Sequence, residues 1–273
     1  MAISIGAIFD CCVNAGAQPQ LRHLRAAFLS ADVNYRQKAS ELQFYLMPQH
    51  SLSEIDVANA TGLYRNRLSK VGSACRRFYD AIMTDNQLKQ CKYCGHREAR
   101  TLDHYLPQAF YPDLSINPSN LVPACTECNG AKGDYVPECA EDQLMHPGFE
   151  NWEARWLYAT VEMQAGIPEL SFSVQPPRSW DSALIARSRK SFEVLRLGNA
   201  YALQALVDFY EVRGYLEDIY ASKGSTGVRE YAKGISESAA RIGENSWKRA
   251  AYEAYEECDE FCNGGFVELA AQC

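Results

Sequence analysis

Apolar positions recur at helical spacing over much of the chain. From about residue 18 to 45, Leu21, Leu24, Ala27 and Phe28 follow one another at three- and four-residue intervals, and Leu42 and Leu46 extend the series until Pro48 stops it. Ser53, ahead of Glu54 and Asp56, marks a second helix start, and Gly62 is expected to break it. Residues 63–83 then read as one helix with a basic face of Arg65, Arg67, Lys70, Arg76 and Arg77. A core helix with a solvated basic face explains that stripe most simply. Phosphate contact through Arg76 and Arg77 is the functional alternative, and a helix-turn-helix across Gly62 is a weaker one. After residue 150 the period changes. Residues 156–162 and 169–174 alternate as strands around a QAGIP turn, with Leu170, Phe172 and Val174 on one face. Ser182 is the expected cap of a helix running to Leu197 and closed by Gly198. Further helices are expected at 200–220, 227–242 and 246–262. SKGSTG at 222–227 is read as a loop, without the lysine ending of a phosphate loop.

Composition narrows the class. Hydrophobic residues make up 47% of the 273, enough for a sizeable core. No apolar run is long enough for a spanning helix, and Asp10 interrupts the only candidate for a leader, so no membrane association is expected. Eleven cysteines are an odd count, and four stand in metal-ligand spacing, which points to reduced thiols and a cytoplasmic setting. The net charge of −7 is poor for a protein that must attract nucleic acid unaided, but it is uneven. Residues 61–100 carry a net +6 and residues 101–150 a net −7. A basic surface therefore precedes an acidic cluster of the kind a cation site needs.

That cluster overlaps residues 91–134, where the candidate chemistry lies. Cys91/Cys94 and Cys125/Cys128 are two Cys-x-x-Cys pairs with 30 residues between them. Two such knuckles make a closed, four-thiolate zinc site, structural because no coordination position is left open. Gly95 follows the first pair, where a knuckle often needs positive φ. His96 is not needed as a ligand. Cys11, Cys12, Cys75, Cys139, Cys258, Cys262 and Cys273 are read as ordinary thiols, with Cys258 and Cys262 on one helix face.

Within the bracket stand Leu102-Asp103-His104, then Asn120-Leu121-Val122-Pro123, then Asn129 directly after Cys128, and Lys132-Gly133. This set resembles the HNH endonucleases of ββα-metal fold, in the zinc-stapled branch whose third signature residue is Asn. The resemblance covers about residues 88–135. It implies His104 as general base, Asp103 and Asn129 as oxygen ligands of a catalytic Mg2+ or Mn2+, and Asn120 as the residue that bridges the loop and positions His104. It also offers Lys132 as a phosphate contact. One departure stands out: the linking loop YLPQAFYPDLSINPS is apolar and proline-rich rather than glycine-rich. Such a loop is expected to pack against the rest of the chain or a partner. His146 is taken as structural, and His23 and His50 carry no signal.

The expected fold is α+β and predominantly helical: a small ββα-metal core wrapped by N- and C-terminal helices, with an extra β-hairpin after it. Segments 1–87, 88–150 and 151–273 are the expected divisions. The expected activity is Mg2+-dependent phosphodiester hydrolysis, with DNA favoured and RNA, including tRNA, the alternative substrate. The organisation is also similar to HNH effector subunits of bacterial antiphage systems of the Septu type and their retron-linked relatives, which implies an ATPase partner. Competing readings are a non-catalytic zinc-binding interaction module and a DNA-binding regulator using residues 53–80.

Overall fold

The computed structural model describes residues 3–84 and 89–267. The expected 87/88 division and Cys273 lie outside the described residues. The chain forms two compact units, Met1–Asn151 and Trp152–Cys273. The fold is α+β and mostly helical, with two small antiparallel sheets.

In the first unit, α1 (Ile5–Ala15) is capped by Ser4, and α2 (Arg25–Ser40) follows a 3-10 turn over Pro19–Leu24. The helix expected to run to residue 45 ends earlier, because Leu42 takes a left-handed φ of 52° and turns the chain. Leu42 and Leu46 therefore do not extend the α2 stripe. Ser53 caps α3 (Glu54–Leu63) through the Asp56 amide, as expected. Gly62 does not break that helix, which passes through it into a π-helical turn, Tyr64–Leu68. The single helix expected at 63–83 is instead interrupted at 69–75, where Gly72 adopts φ 81°, and resumes as α4 (Arg76–Thr84). With no turn at Gly62, the helix-turn-helix reading has no structural counterpart. Apolar side chains of α1 to α4 and the π-helical turn, among them Phe9, Phe28, Leu63 and Leu68, enclose Leu102, Ile116 and Leu121 of the segment between the two cysteine pairs.

That segment is a ββα unit: β1 (Thr101–His104), β2 (Leu121–Ala124) and α5 (Thr126–Lys132). The strands are antiparallel, with Thr101 opposite Ala124 and His104 opposite Leu121. Opposed residues share a face. Leu102, His104 and Leu121 thus face the N-terminal helices, and Thr101, Asp103 and Val122 face the other way.

The second unit opens with a hairpin, β3 (Leu157–Gln164) and β4 (Ile167–Val174), in full register across eight pairs. Ala165 and Gly166 both take positive φ, the two-residue turn that matches strand twist. α6 (Ser182–Val194) is capped by Asp181, not by Ser182: the Asp181 carboxylate accepts from the Leu184 amide at 2.7 Å. Arg196, at φ 52°, ends it, and Gly198 lies inside the next helix. α7 (Leu197–Ala240) is two helical halves joined at Gly224, inside the expected 222–227 loop, where non-helical dihedrals (φ 62°, ψ −158°) turn the chain. Tyr215 and Tyr231 meet at 5.5 Å between ring centres, so the halves form a hairpin about one glycine. α8 (Trp247–Glu257) and α9 (Asp259–Cys262) follow. Cys258 lies between them and caps α9, so it does not share a helix face with Cys262.

Candidate metal centre and active site

The two knuckles meet. The Sγ atoms of Cys91, Cys94, Cys125 and Cys128 lie within 4.8 Å of one another, all on buried residues. Gly95, at φ 65°, lets its amide turn back onto the Cys91 carbonyl at 2.9 Å. The first knuckle is tied to β2 by Lys92 N–H to the Pro123 carbonyl and Arg100 N–H to the Ala124 carbonyl. In the second, Cys125 Sγ accepts from the Cys128 amide at 3.3 Å and so caps α5, a helix of 7 residues. Hydrogen bonding with Cys125, then with Cys91 and Cys94, pushes the Cys128 thiol well up. Four thiols packed this closely cannot all ionise without a cation among them. Buried sulfurs in two equal pairs are the donor set of structural zinc.

His104 is buried at 8% exposure, with its Nε2 2.7 Å from the Ser115 carbonyl. A carbonyl can only accept, so Nε2 carries the proton and Nδ1 keeps its lone pair. Burial is the main reason its pKa is pushed down to about 4, which leaves the ring neutral near pH 7. Tyr64, in the π-helical turn, packs edge-on against this ring at 4.5 Å and donates to the Leu102 carbonyl at 3.0 Å.

Asp103 faces α5 at 4% exposure. Tyr93, between the two cysteines of the first knuckle, donates to its Oδ2 at 2.6 Å. Lys132 Nζ lies 3.2 Å from Oδ1 and 3.1 Å from Oδ2, and it donates to the His104 carbonyl at 2.7 Å. Lys132, expected to reach phosphate, therefore turns inward. Its position near the end of α5 points the side chain back over β1, where a carboxylate and a carbonyl replace its water. Asn129 donates through its amide nitrogen to Thr101 Oγ1 at 3.0 Å, on the Asp103 face, a bond that does not use its amide oxygen. Asp103 and Asn129 offer hard oxygens of the kind Mg2+ or Mn2+ takes, so the donor set fits. A cation there has to share Asp103 with Lys132.

Asn120 is fully buried, and its side-chain hydrogen bonds go to Leu106 rather than to His104. Its Oδ1 accepts from the Leu106 amide at 2.8 Å, and its Nδ2 donates to the Leu106 carbonyl at 2.9 Å. It clips the two ends of the proline-rich loop together just beyond the strands. The loop packs inward: Leu106, Leu114 and Ile116 are buried, Ser115 donates to the Ala60 carbonyl, and Asn117 donates to Asp32. Arg76 is held by Asp80 at 2.7 Å and lies over the Tyr79 ring at 4.0 Å, whereas Arg77 is exposed beside Phe78. Arg76 also donates to the Ser69 carbonyl in the break before α4, so its guanidinium is taken up by contacts within the chain. His146 is structural: it stacks on Phe44 and meets the Tyr35 hydroxyl at 3.1 Å. Tyr93 and Tyr64 escaped the sequence reading. An aromatic inside a Cys-x-x-Cys knuckle was a usable signal; nothing marked Tyr64.

The family model for "HNH endonuclease" matches residues 91–135. This stretch is an HNH endonuclease domain. Protein ea31 of Escherichia phage lambda is 28% identical over 261 residues, covering 87% of this chain and 87% of its own. Septu protein PtuB of Bacillus thuringiensis is 39% identical over 63 residues, 21% of this chain and 24% of its own length. No solved structure matches. The HNH domain belongs to nucleic-acid-cleaving nucleases, and it brings β1, β2 and α5 together with the four cysteines. Among the described residues, no helix is long and apolar enough to cross a membrane.

Proposed function

We propose that this protein is a zinc-stapled, divalent-metal-dependent HNH endonuclease, with DNA as the favoured substrate, acting as the effector subunit of a bacterial antiphage complex beside an ATPase partner. The observation that carries the nuclease reading is the buried, neutral His104, its Nε2–H fixed on the Ser115 carbonyl and its Nδ1 lone pair free. Nδ1 accepts a proton from water as that water attacks phosphorus, and the Ser115 carbonyl stabilises the imidazolium that forms. Asp103 and Asn129 would hold the Mg2+ or Mn2+. When bound, the cation supplies charge stabilisation at the phosphate and the leaving oxygen. Asn120 holds the loop that carries Ser115, and so sets the ring's orientation from a distance. The four cysteines fix both ends of the ββα unit, with Cys128 adjacent to Asn129. Of the basic residues, exposed Arg77 is better placed than Arg76 or Lys132 to meet phosphate. The defence role is supported by the partial likeness to Septu protein PtuB, and the net charge of −7 suits a nuclease delivered to its substrate by a partner.

The test is cleavage of plasmid, single-stranded DNA and RNA with Mg2+, Mn2+ or EDTA, with and without the proteins of neighbouring genes. His104→Ala should lower metal-dependent cleavage by at least about a hundredfold. Unchanged cleavage refutes the assignment, and cleavage of RNA alone overturns the preference for DNA.

A further inference from the structure

We propose that Tyr93 is a positioning residue for the catalytic metal site, through which the first zinc knuckle sets the orientation of Asp103. This rests on the reading of Asp103 as a metal ligand. Tyr93 lies between Cys91 and Cys94, and its side chain is buried. Its hydroxyl donates to Asp103 Oδ2 at 2.6 Å, short for a neutral donor and typical of a charge-assisted bond. Lys132 holds the same carboxylate from the α5 side. The carboxylate plane is thus defined by one donor from the knuckle and one from the helix. Cys91 and Cys94 cannot shift without moving the tyrosine between them, so the thiolate site and the oxygen site are joined by a single side chain. Groups that hold a metal ligand in this way typically contribute ten- to hundredfold in metal affinity. The Cys128–Asn129 adjacency joins the two sites along the backbone. Tyr93 joins them through space at the opposite end of the ββα unit.

The test uses full-length, zinc-loaded protein and reads Mn2+ binding by the electron paramagnetic resonance of free Mn2+, with zinc content measured on the same sample. Tyr93→Phe should keep one zinc per chain and weaken Mn2+ binding about tenfold or more, with the Mn2+ concentration for half-maximal cleavage rising in parallel. Mn2+ affinity within about twofold of the parent, with zinc retained, overturns the proposal. Should Tyr93→Phe lose zinc, 3-fluorotyrosine at position 93 decides, since it keeps the shape and alters only donor strength. Affinity that moves with fluorination supports the proposal, and affinity that does not overturns it. A parent whose Mn2+ affinity is unmoved by Asp103→Asn overturns the metal-ligand reading itself, and the proposal falls with it.

Discussion

Lys132→Met removes an ammonium and keeps most of the side-chain volume. In the structure this leaves Asp103 buried with Tyr93 as its remaining donor, and leaves the His104 carbonyl without its Lys132 partner. Breaking a buried pair by removing one member costs about 3–5 kcal/mol. An exposed lysine turned toward phosphate would cost less than about 0.5 kcal/mol. The two placements therefore differ by several kcal/mol, a large fraction of a domain's stability. With a urea slope of about 2 kcal/mol/M, the midpoint should fall by about 2 M. The probe matters. All four tryptophans, Trp152, Trp156, Trp180 and Trp247, lie in the second unit, so their fluorescence follows the other half of the chain. Zinc release to a chelating dye reports the first unit. Combining Lys132→Met with Asp103→Asn removes the stranded charge and should recover much of the loss. A midpoint shift equivalent to less than about 1 kcal/mol for the single variant, or a double variant worse than the single, refutes the inward placement of Lys132.

Asn120→Ala strands the buried amide and carbonyl of Leu106 and should cost about 2–5 kcal/mol by the same assay, with cleavage falling as the Ser115 carbonyl loses its place. A loss below about 1 kcal/mol would show that the loop ends hold without it. Burial pushes the His146 pKa down to about 3, so the folded state refuses a proton that the unfolded chain accepts below its ordinary value of about 6.5. Stability should therefore fall with pH through the window between those values. It should drop by about 2 kcal/mol from about pH 7 to pH 5, relative to His146→Phe in urea titrations at each pH, and parallel curves would contradict this. Stripping zinc at neutral pH should abolish the cooperative transition of the first unit while tryptophan fluorescence reports an intact second unit. Survival of both transitions would remove the ion from the fold.

The cysteine pairs were legible because equal spacing is a property of the chain, and tertiary packing only has to bring them together. The β3–β4 hairpin was legible for a related reason, since period-two apolar positions and an Ala-Gly turn are local. The break between Leu68 and Arg76 was not. Its apolar positions fit a helix, and only the positive φ at Gly72 shows that the chain departs from one. Gly62 misled in the opposite sense, because helix propensity yielded to the packing of Ala60 and Leu63. Lys132 was expected at phosphate through the family resemblance, and nothing in its spacing marked the buried carboxylate on β1 that it meets instead. Asn120 was read as a positioning residue, but its partner, Leu106, could not be inferred from spacing. At Gly224 the sequence showed a break but not its form, a reversal at one residue with helix on both sides.

The sulfur cap of α5 also shapes the order in which the chain can fold. A helix of 7 residues is too short to nucleate by itself, and its first amide bond depends on a thiolate that is also a ligand. The hairpin beside it needs a long loop closed before four-residue strands can pair. Neither half of the ββα unit can therefore form early, and ion capture becomes the step that commits the first unit. Its refolding rate should rise with free zinc, whereas the locally connected hairpins of the second unit form at a rate zinc does not set. A newly made chain short of zinc would spend longer without its nuclease core, and hence without the activity that core carries.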